Sequence, residues 1–333
     1  LKPMFKFLRQ LKSVANTETS QEVSAQPTAL PIEELLKQLS WQVIRRLDGQ
    51  LQGDYRTLFR GTGVELADLR EYQPHDDVRH IDWNVTARMQ TTYVRQHLED
   101  REMTAYFLID LSGSMGLGSE ATTKRNLAVS CVAVLARILT RRGNPVGAML
   151  FSGKQRTADS VFPARTGKSH VLQLMQAIQQ CETPKISQMT DLRQMLLQAQ
   201  AYCKKRSTIF VMSDFIADTG WERTLGSLAY RHEVIAIRLQ DPWEVQLPAL
   251  GLMTVEDSET GEQILIDANH KGFRERYQQL ALEREHALQK IFERSQIDCL
   301  TLKTDADLGQ ALLHFMLMRK KQLRAGPSHR KAA

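Results

Sequence analysis

No segment of this chain approaches the roughly 18 consecutive apolar residues of a membrane-spanning helix, and no signal-type hydrophobic stretch opens it. Cysteine is scarce: Cys131, Cys181, Cys203 and Cys299 are all there is, with no paired spacing for a metal site. Four scattered thiols, three of them in apolar patterns, read as free and buried in a reducing cytoplasm. The nine histidines nowhere form H-E-x-x-H, so the helix-borne zinc hydrolases are excluded. Gly167-Lys168-Ser169 ends like a phosphate-binding loop, but Phe162 stands where the earlier glycine belongs, and a cradle of backbone N–H groups cannot close around a side chain.

What is present is an ordinary globular composition, 42% hydrophobic and 25% charged over 333 residues, enough for one large core or two modest ones. The net charge of +6 is concentrated at the ends. Arg319, Lys320, Lys321, Arg324, Arg330 and Lys331 form an acid-free run, and Lys2, Lys6, Arg9 and Lys12 crowd the start. Those ten bases exceed the net charge, so the body between them is mildly acidic. Such ends read as solvated chain rather than as a specific nucleic-acid surface. Residues 1–12 mix Met4, Phe5, Phe7, Leu8 and Leu11 with their bases, a pattern compatible with a disordered arm or with peripheral contact to an anionic membrane.

The pattern along the chain predicts four parts. Residues 1–30 read as a flexible basic and polar tail, with 13–30 as linker. Residues 31–103 form an N-terminal flanking subdomain that opens with a helix from Pro31 to Arg46. Residues 104–321 alternate strands and helices, which predicts an α/β domain with a mainly parallel sheet covered by helices. Strands are expected at 104–110, 146–151, 157–162, 207–212, 232–239 and 297–302, and helices at 121–142, 168–181, 190–204, 220–230 and 305–321. An insertion at 243–296 carries a hairpin, Met253–Glu256 with Gln263–Asp267, and a long helix at 270–296. Residues 322–333 are a basic tail.

The chemistry concentrates at the end of the first strand, where Tyr106–Ile109 runs into Asp110-Leu111-Ser112-Gly113-Ser114. An α/β sheet places its ligands at such strand ends. One carboxylate and two hydroxyls on alternate residues are hard oxygen donors of low total charge, suited to Mg²⁺ or another small divalent cation that keeps some water. A phosphatase of the haloacid dehalogenase type would need an aspartate in place of Ser112, and a nucleophile elbow would need glycine there.

Two distant segments complete a pattern. Thr190-Asp191-Leu192 stands at a helix start, and Ser213-Asp214 ends the 207–212 strand. The order D-x-S-x-S, T-D, S-D resembles the metal-ion-dependent adhesion site of von Willebrand factor A domains. That resemblance implies a Rossmann-like von Willebrand A domain whose cation is held, directly or through water, by Asp110, Ser112, Ser114, Thr190 and Asp214.

Residues 61–88, GTGVELADLREYQPHDDVRHIDWNVTAR, interleave carboxylates with Arg70, Arg79 and Arg88 around Tyr72 and Trp83. They read as a partly buried ion-pair network that docks on the sheet or shapes the mouth of the site. The same block, with Asp241-Pro242, the turn Glu259-Thr260-Gly261-Glu262 and Thr304-Asp305, closely resembles a bacterial family named domain of unknown function 58 across residues 53–320. Leu66 and His75 depart from it, replacing a common aromatic and a common glycine. Many relatives carry two N-terminal membrane spans; this sequence resembles the form without them.

The resemblance implies a non-enzymatic adaptor that works beside a MoxR-type AAA+ ATPase on client proteins. An Asp or Glu from the partner would complete the shell of Mg²⁺, or of Mn²⁺ or Ca²⁺. A metal-dependent hydrolase would use the same ion with Glu65 or Asp191 as base. A membrane-surface or nucleic-acid binder would instead act through the basic ends.

Overall fold

The computed structural model describes residues 12–14, 69–73, 78, 81–95, 103–116, 118, 122–154, 157–181, 191–256 and 263–324. In chain order these form β1 (Lys12–Val14), β2 (Leu69–Glu71), α1 (Trp83–Met89), β3 (Tyr93–Arg95), β4 (Ala105–Asp110), α2 (Lys124–Thr140), β5 (Val146–Phe151), β6 (Ser160–Arg165), α3 (Lys168–Gln180), α4 (Leu192–Tyr202) and β7 (Thr208–Ser213). There follow α5 (Glu222–Arg231), β8 (Glu233–Gln240), β9 (Leu252–Glu256), β10 (Gln263–Asp267), α6 (Lys271–Arg294), β11 (Asp298–Lys303) and α7 (Leu308–Arg324). Short 3₁₀ turns lie at Gly113–Gly116 and Pro242–Glu244.

Six strands build the main sheet in the order β11-β8-β7-β4-β5-β6, parallel except for β6, which pairs antiparallel with β5. Their side chains alternate between two apolar layers. Phe107 and Ile109 of β4 face α2, α3 and α7, packing with Leu127, Leu174 and Leu312; Leu108 faces α4, α5 and α6, packing with Leu196, Leu225 and Phe292. Phe107 stacks on Phe210 of β7 at 4.9 Å. Strands β5 and β7 are buried along their whole length, which explains why they read as continuous apolar runs rather than alternating ones. This is the α/β architecture expected from the sequence, a mainly parallel sheet covered by helices.

The order of the strands fixes where a ligand can sit. From β4 the chain adds β5 and β6 on one side, then β7, β8 and β11 on the other. The connections therefore diverge at β4, and a crevice opens at the carboxyl ends of β4 and β7. Asp110 ends one of these strands and Asp214 follows the other.

Several expectations need correction. Residues 13 and 14, read as linker, belong to β1, which pairs with β9 of the insertion and makes a three-stranded antiparallel sheet with β9 and β10. The strand expected at 157–162 starts at Ser160, because Asp159 is tied into the turn before it: its N–H bonds Leu150 O and its carboxylate accepts from Ser152 N. Pro163 is tolerated inside β6 because that strand lies at the sheet edge.

Arg319, counted above with a solvated basic run, is 3% exposed and donates to Asp298 and to Glu233, each at 2.8 Å. Helix α7 also reaches Arg324, past the boundary placed at 321. In the 61–88 block, Asp82 caps α1 by accepting from Asn84 and Val85 N–H, but Trp83 is 69% exposed and does not pack into a network. The helix expected from Pro31 to Arg46, residues 61–68, 74–77, 79 and 80 of that block, and the tail from 325 lie outside the described residues.

Candidate metal centre

The turn after β4 is shaped by its own polar groups. Asp110 accepts the backbone N–H of Ser112 at 3.0 Å through Oδ1 and the hydroxyl of Ser213 at 2.8 Å through Oδ2. The Gly113–Gly116 3₁₀ turn then places Ser114 beside Ser112, with their hydroxyl oxygens 3.1 Å apart. Asp214 accepts from Ile216 N–H through Oδ1, and the Ser114 hydroxyl supports its carboxylate. Phe215 follows in the left-handed region at φ +58, a conformation that costs a β-carbon-bearing residue about 1–2 kcal/mol. Its ring offsets that cost by packing against Phe292 at 5.2 Å and Trp221 at 5.7 Å.

Asp110, Ser112, Ser114 and Asp214 are thus all buried and joined in one chain of contacts. Thr190 lies outside the described residues. Its neighbour Asp191, the candidate base of the hydrolase alternative, caps α4 by accepting Gln194 N–H. Glu65, the other candidate base, also lies outside the described residues. Among the described residues, no group of three or more His, Cys, Asp or Glu is arranged to hold a metal.

The donor set nevertheless fits a small cation. Two oxygens on adjacent octahedral positions, each about 2.1 Å from Mg²⁺, stand about 3 Å apart, which is the separation of the serine hydroxyls. Each serine can donate its proton to its own carboxylate, Ser112 to Asp110 and Ser114 to Asp214, which leaves hydroxyl lone pairs available to a cation. Burial, and then the charge of Asp214, raise the Asp110 carboxyl to about 6 against the hydrogen bonds from Ser112 and Ser213. A cation beside it would relieve that penalty.

The sequence reading missed a second tier. Lys124, the first residue of α2, is fully buried and bonds Asp214 Oδ2 at 3.0 Å and Glu244 Oε1. Burial disfavours its charge, but Asp214 and then Glu244 reverse that and raise its pKa. For Asp214 burial opposes ionisation as well, and the ammonium holds its carboxyl below the ordinary value.

Glu244 is fixed in turn. Its Oε2 accepts Asp241 N–H while Asp241 accepts Trp243 N–H, a capping box around Pro242–Glu244. The Thr304 hydroxyl donates to Asp241 at 2.7 Å, so two of the landmark motifs, Asp241-Pro242 and Thr304-Asp305, meet in space. Next to Lys124, Arg125 donates to the Cys181 carbonyl at the end of α3, where the segment leading to Thr190 begins. A lysine opening a helix whose following turns are largely apolar was the available signal.

The protein family described as "Protein of unknown function DUF58" matches residues 68–287. The chain belongs to this family. An uncharacterized protein of Mycobacterium tuberculosis H37Rv is 32% identical over 293 residues, 87% of this chain and 90% of its own length. Another, from Mycobacterium avium, is 29% identical over 166 residues, 49% of this chain and 96% of that protein.

Among solved structures, the conserved hypothetical protein BatB of Bacteroides thetaiotaomicron aligns with a TM-score of 0.44 at 16% identity, covering 66% of this chain and 99% of that one. The SpRpn10 VWA domain aligns at 0.36 and 12%, covering 63% and 93%. Among the described residues of this DUF58 protein, no helix is long and apolar enough to cross a membrane.

Proposed function

We propose that this DUF58 protein is a non-enzymatic interaction module that binds a partner through a divalent cation. Mg²⁺, or Mn²⁺ or Ca²⁺ in its place, would be held by Ser112, Ser114 and Thr190, with Asp110 and Asp214 ordering its shell. The observation that carries this reading is the buried hydroxyl pair, 3.1 Å apart between two buried carboxylates. A cation held mainly by neutral hydroxyls keeps much of its charge, so an aspartate or glutamate offered by another protein gains strong electrostatic attraction at the open position.

A metal-dependent hydrolase, which would need a carboxylate free to act as base, is the second reading. The described aspartates are engaged by Lys124, Ser112, Ser213 and backbone N–H groups. The family resemblance directs the search for a partner to a MoxR-type AAA+ ATPase or its client, in the cytoplasm, where four free thiols are at home.

Association of the two purified proteins in Mg²⁺ and in excess chelator tests the proposal. Binding should require the metal and weaken in Asp110→Asn. Removing the partner's acidic ligand should cost a similar amount, and the two losses should not add, because each breaks the same bridge. Full-strength binding in chelator would refute the metal bridge.

A further inference from the structure

Lys124 has no exposed side-chain surface, and it lies where a cation-binding site is expected to concentrate negative charge. A buried ammonium in that position needs an account. Its two carboxylate partners come from different tiers: Asp214 from the cation site, and Glu244 from the turn that opens the insertion. Glu244 is held from behind, since Arg284 of α6 donates to its carbonyl at 3.1 Å and Tyr277 of α6 donates to the Trp243 carbonyl at 2.9 Å.

We infer that Lys124 is a tethered counter-cation, which keeps the site assembled in the absence of metal and limits how tightly a divalent ion binds there. The inference rests on the cation reading above. Asp110, Asp214 and Glu244 against Lys124 leave a net formal charge of two negatives around the hydroxyl pair. Without the ammonium the cluster would carry three, and two of its carboxylates would lose their fixed cation in a buried site, a strongly destabilising change. With it, Asp214 is held by Lys124, Ile216 N–H and Ser114 before any metal arrives. An incoming ion gains less from an aspartate that already has a cation. The site should therefore bind weakly and exchange its ion readily, while the fold stays indifferent to chelators.

The test uses the full chain and Mn²⁺ alone, with free Mn²⁺ counted by electron paramagnetic resonance and melting followed by circular dichroism. Lys124→Met should bind Mn²⁺ at least tenfold more tightly than the unaltered protein, melt lower in chelator and recover on adding Mn²⁺. Glu244→Gln, which removes a negative charge without touching a proposed ligand, should weaken binding by about tenfold. The double variant should return towards the starting affinity, because the net charge is restored.

A lysine with only a structural role would lower stability without this reversal of sign. Equal Mn²⁺ affinity in all folded variants, or weaker binding in Lys124→Met, would overturn the inference. Should Lys124→Met fail to fold, unchanged or tighter binding by Glu244→Gln would do the same. Ser112→Ala separates the two readings. If it matches the unaltered protein and neither binds Mn²⁺, the native cation site falls. In that event, binding gained by Lys124→Met alone supports the tether, and no binding there removes both.

Discussion

Thr304 donates its hydroxyl to Asp241 at 2.7 Å, across 63 residues of chain, and so ties the end of β11 to the end of β8 at the edge of the sheet that carries the candidate cation site. Both residues are buried. Thr304→Val removes the donor while keeping the shape, and should cost about 1–3 kcal/mol, the penalty for a buried acceptor that loses a hydrogen bond. Urea denaturation measures it. Because Asp241 also frames the turn that holds Glu244, hydrogen exchange at Trp243 and Glu244 should quicken in the same variant.

Ser112→Ala with Ser114→Ala should abolish Mn²⁺ binding and give a less stable protein whose stability is the same with and without chelator. The loss comes from the buried hydroxyls that support Asp110 and Asp214, at about 1–3 kcal/mol in total. In the unaltered protein, a metal present near its dissociation constant adds only about 0.4 kcal/mol by mass action. Calorimetry with and without EDTA separates these effects. An unfolded double variant would identify the serines as structural first.

Arg319 joins α7 to the sheet through Glu233 and Asp298. Arg319→Met removes the cation from two acids of the buried edge and should destabilise by about 3–5 kcal/mol. Deleting residues 325–333, beyond α7, should leave the melting temperature unchanged. The contrast checks which of the C-terminal bases are structural, and melting curves of the two proteins suffice.

Glu233 sets a pH dependence. Burial, against the opposing pull of Arg319, raises its carboxyl to about 7 from the ordinary 4.5. The folded state thus binds the proton more tightly than the unfolded chain. The contribution to stability is fully present below about pH 4.5 and is lost as pH rises through about 7. Glu233→Gln should flatten that part of the curve of melting temperature against pH between 5 and 8. An unchanged slope would place the titration elsewhere.

Phe215, the residue in the left-handed region next to Asp214, is held there by its ring packing against Trp221 and Phe292. Phe215→Ala should lose about 3–5 kcal/mol from the cavity it leaves. It should also weaken Mn²⁺ binding, since Asp214 then sits on a looser loop. Normal metal binding at reduced stability would uncouple the aromatic cluster from the site.

The sequence by itself determined the alternation of strands and helices, because short apolar runs bounded by turn residues alternate with longer segments of helical length, the pattern of a helix-covered parallel sheet. It also determined the cation-site candidates Asp110, Ser112 and Ser114, since their spacing is local and one turn brings them together. Tertiary structure alone decided what lies behind them. Lys124 and Glu244 are 120 residues apart and carry no shared local pattern, so their contact follows only from the strand order that brings the ends of β4, β7 and β8 to one edge.

The same holds for Arg319, whose surroundings in sequence are those of a solvated basic run. Its burial depends on Glu233 and Asp298, which start two neighbouring parallel strands and therefore lie at the same end of the sheet. Charge read along the chain counts ions but not their partners. A buried ion is defined by groups that only folding brings near, and for Lys124, Glu233 and Arg319 that pairing decided whether a charge was surface or core.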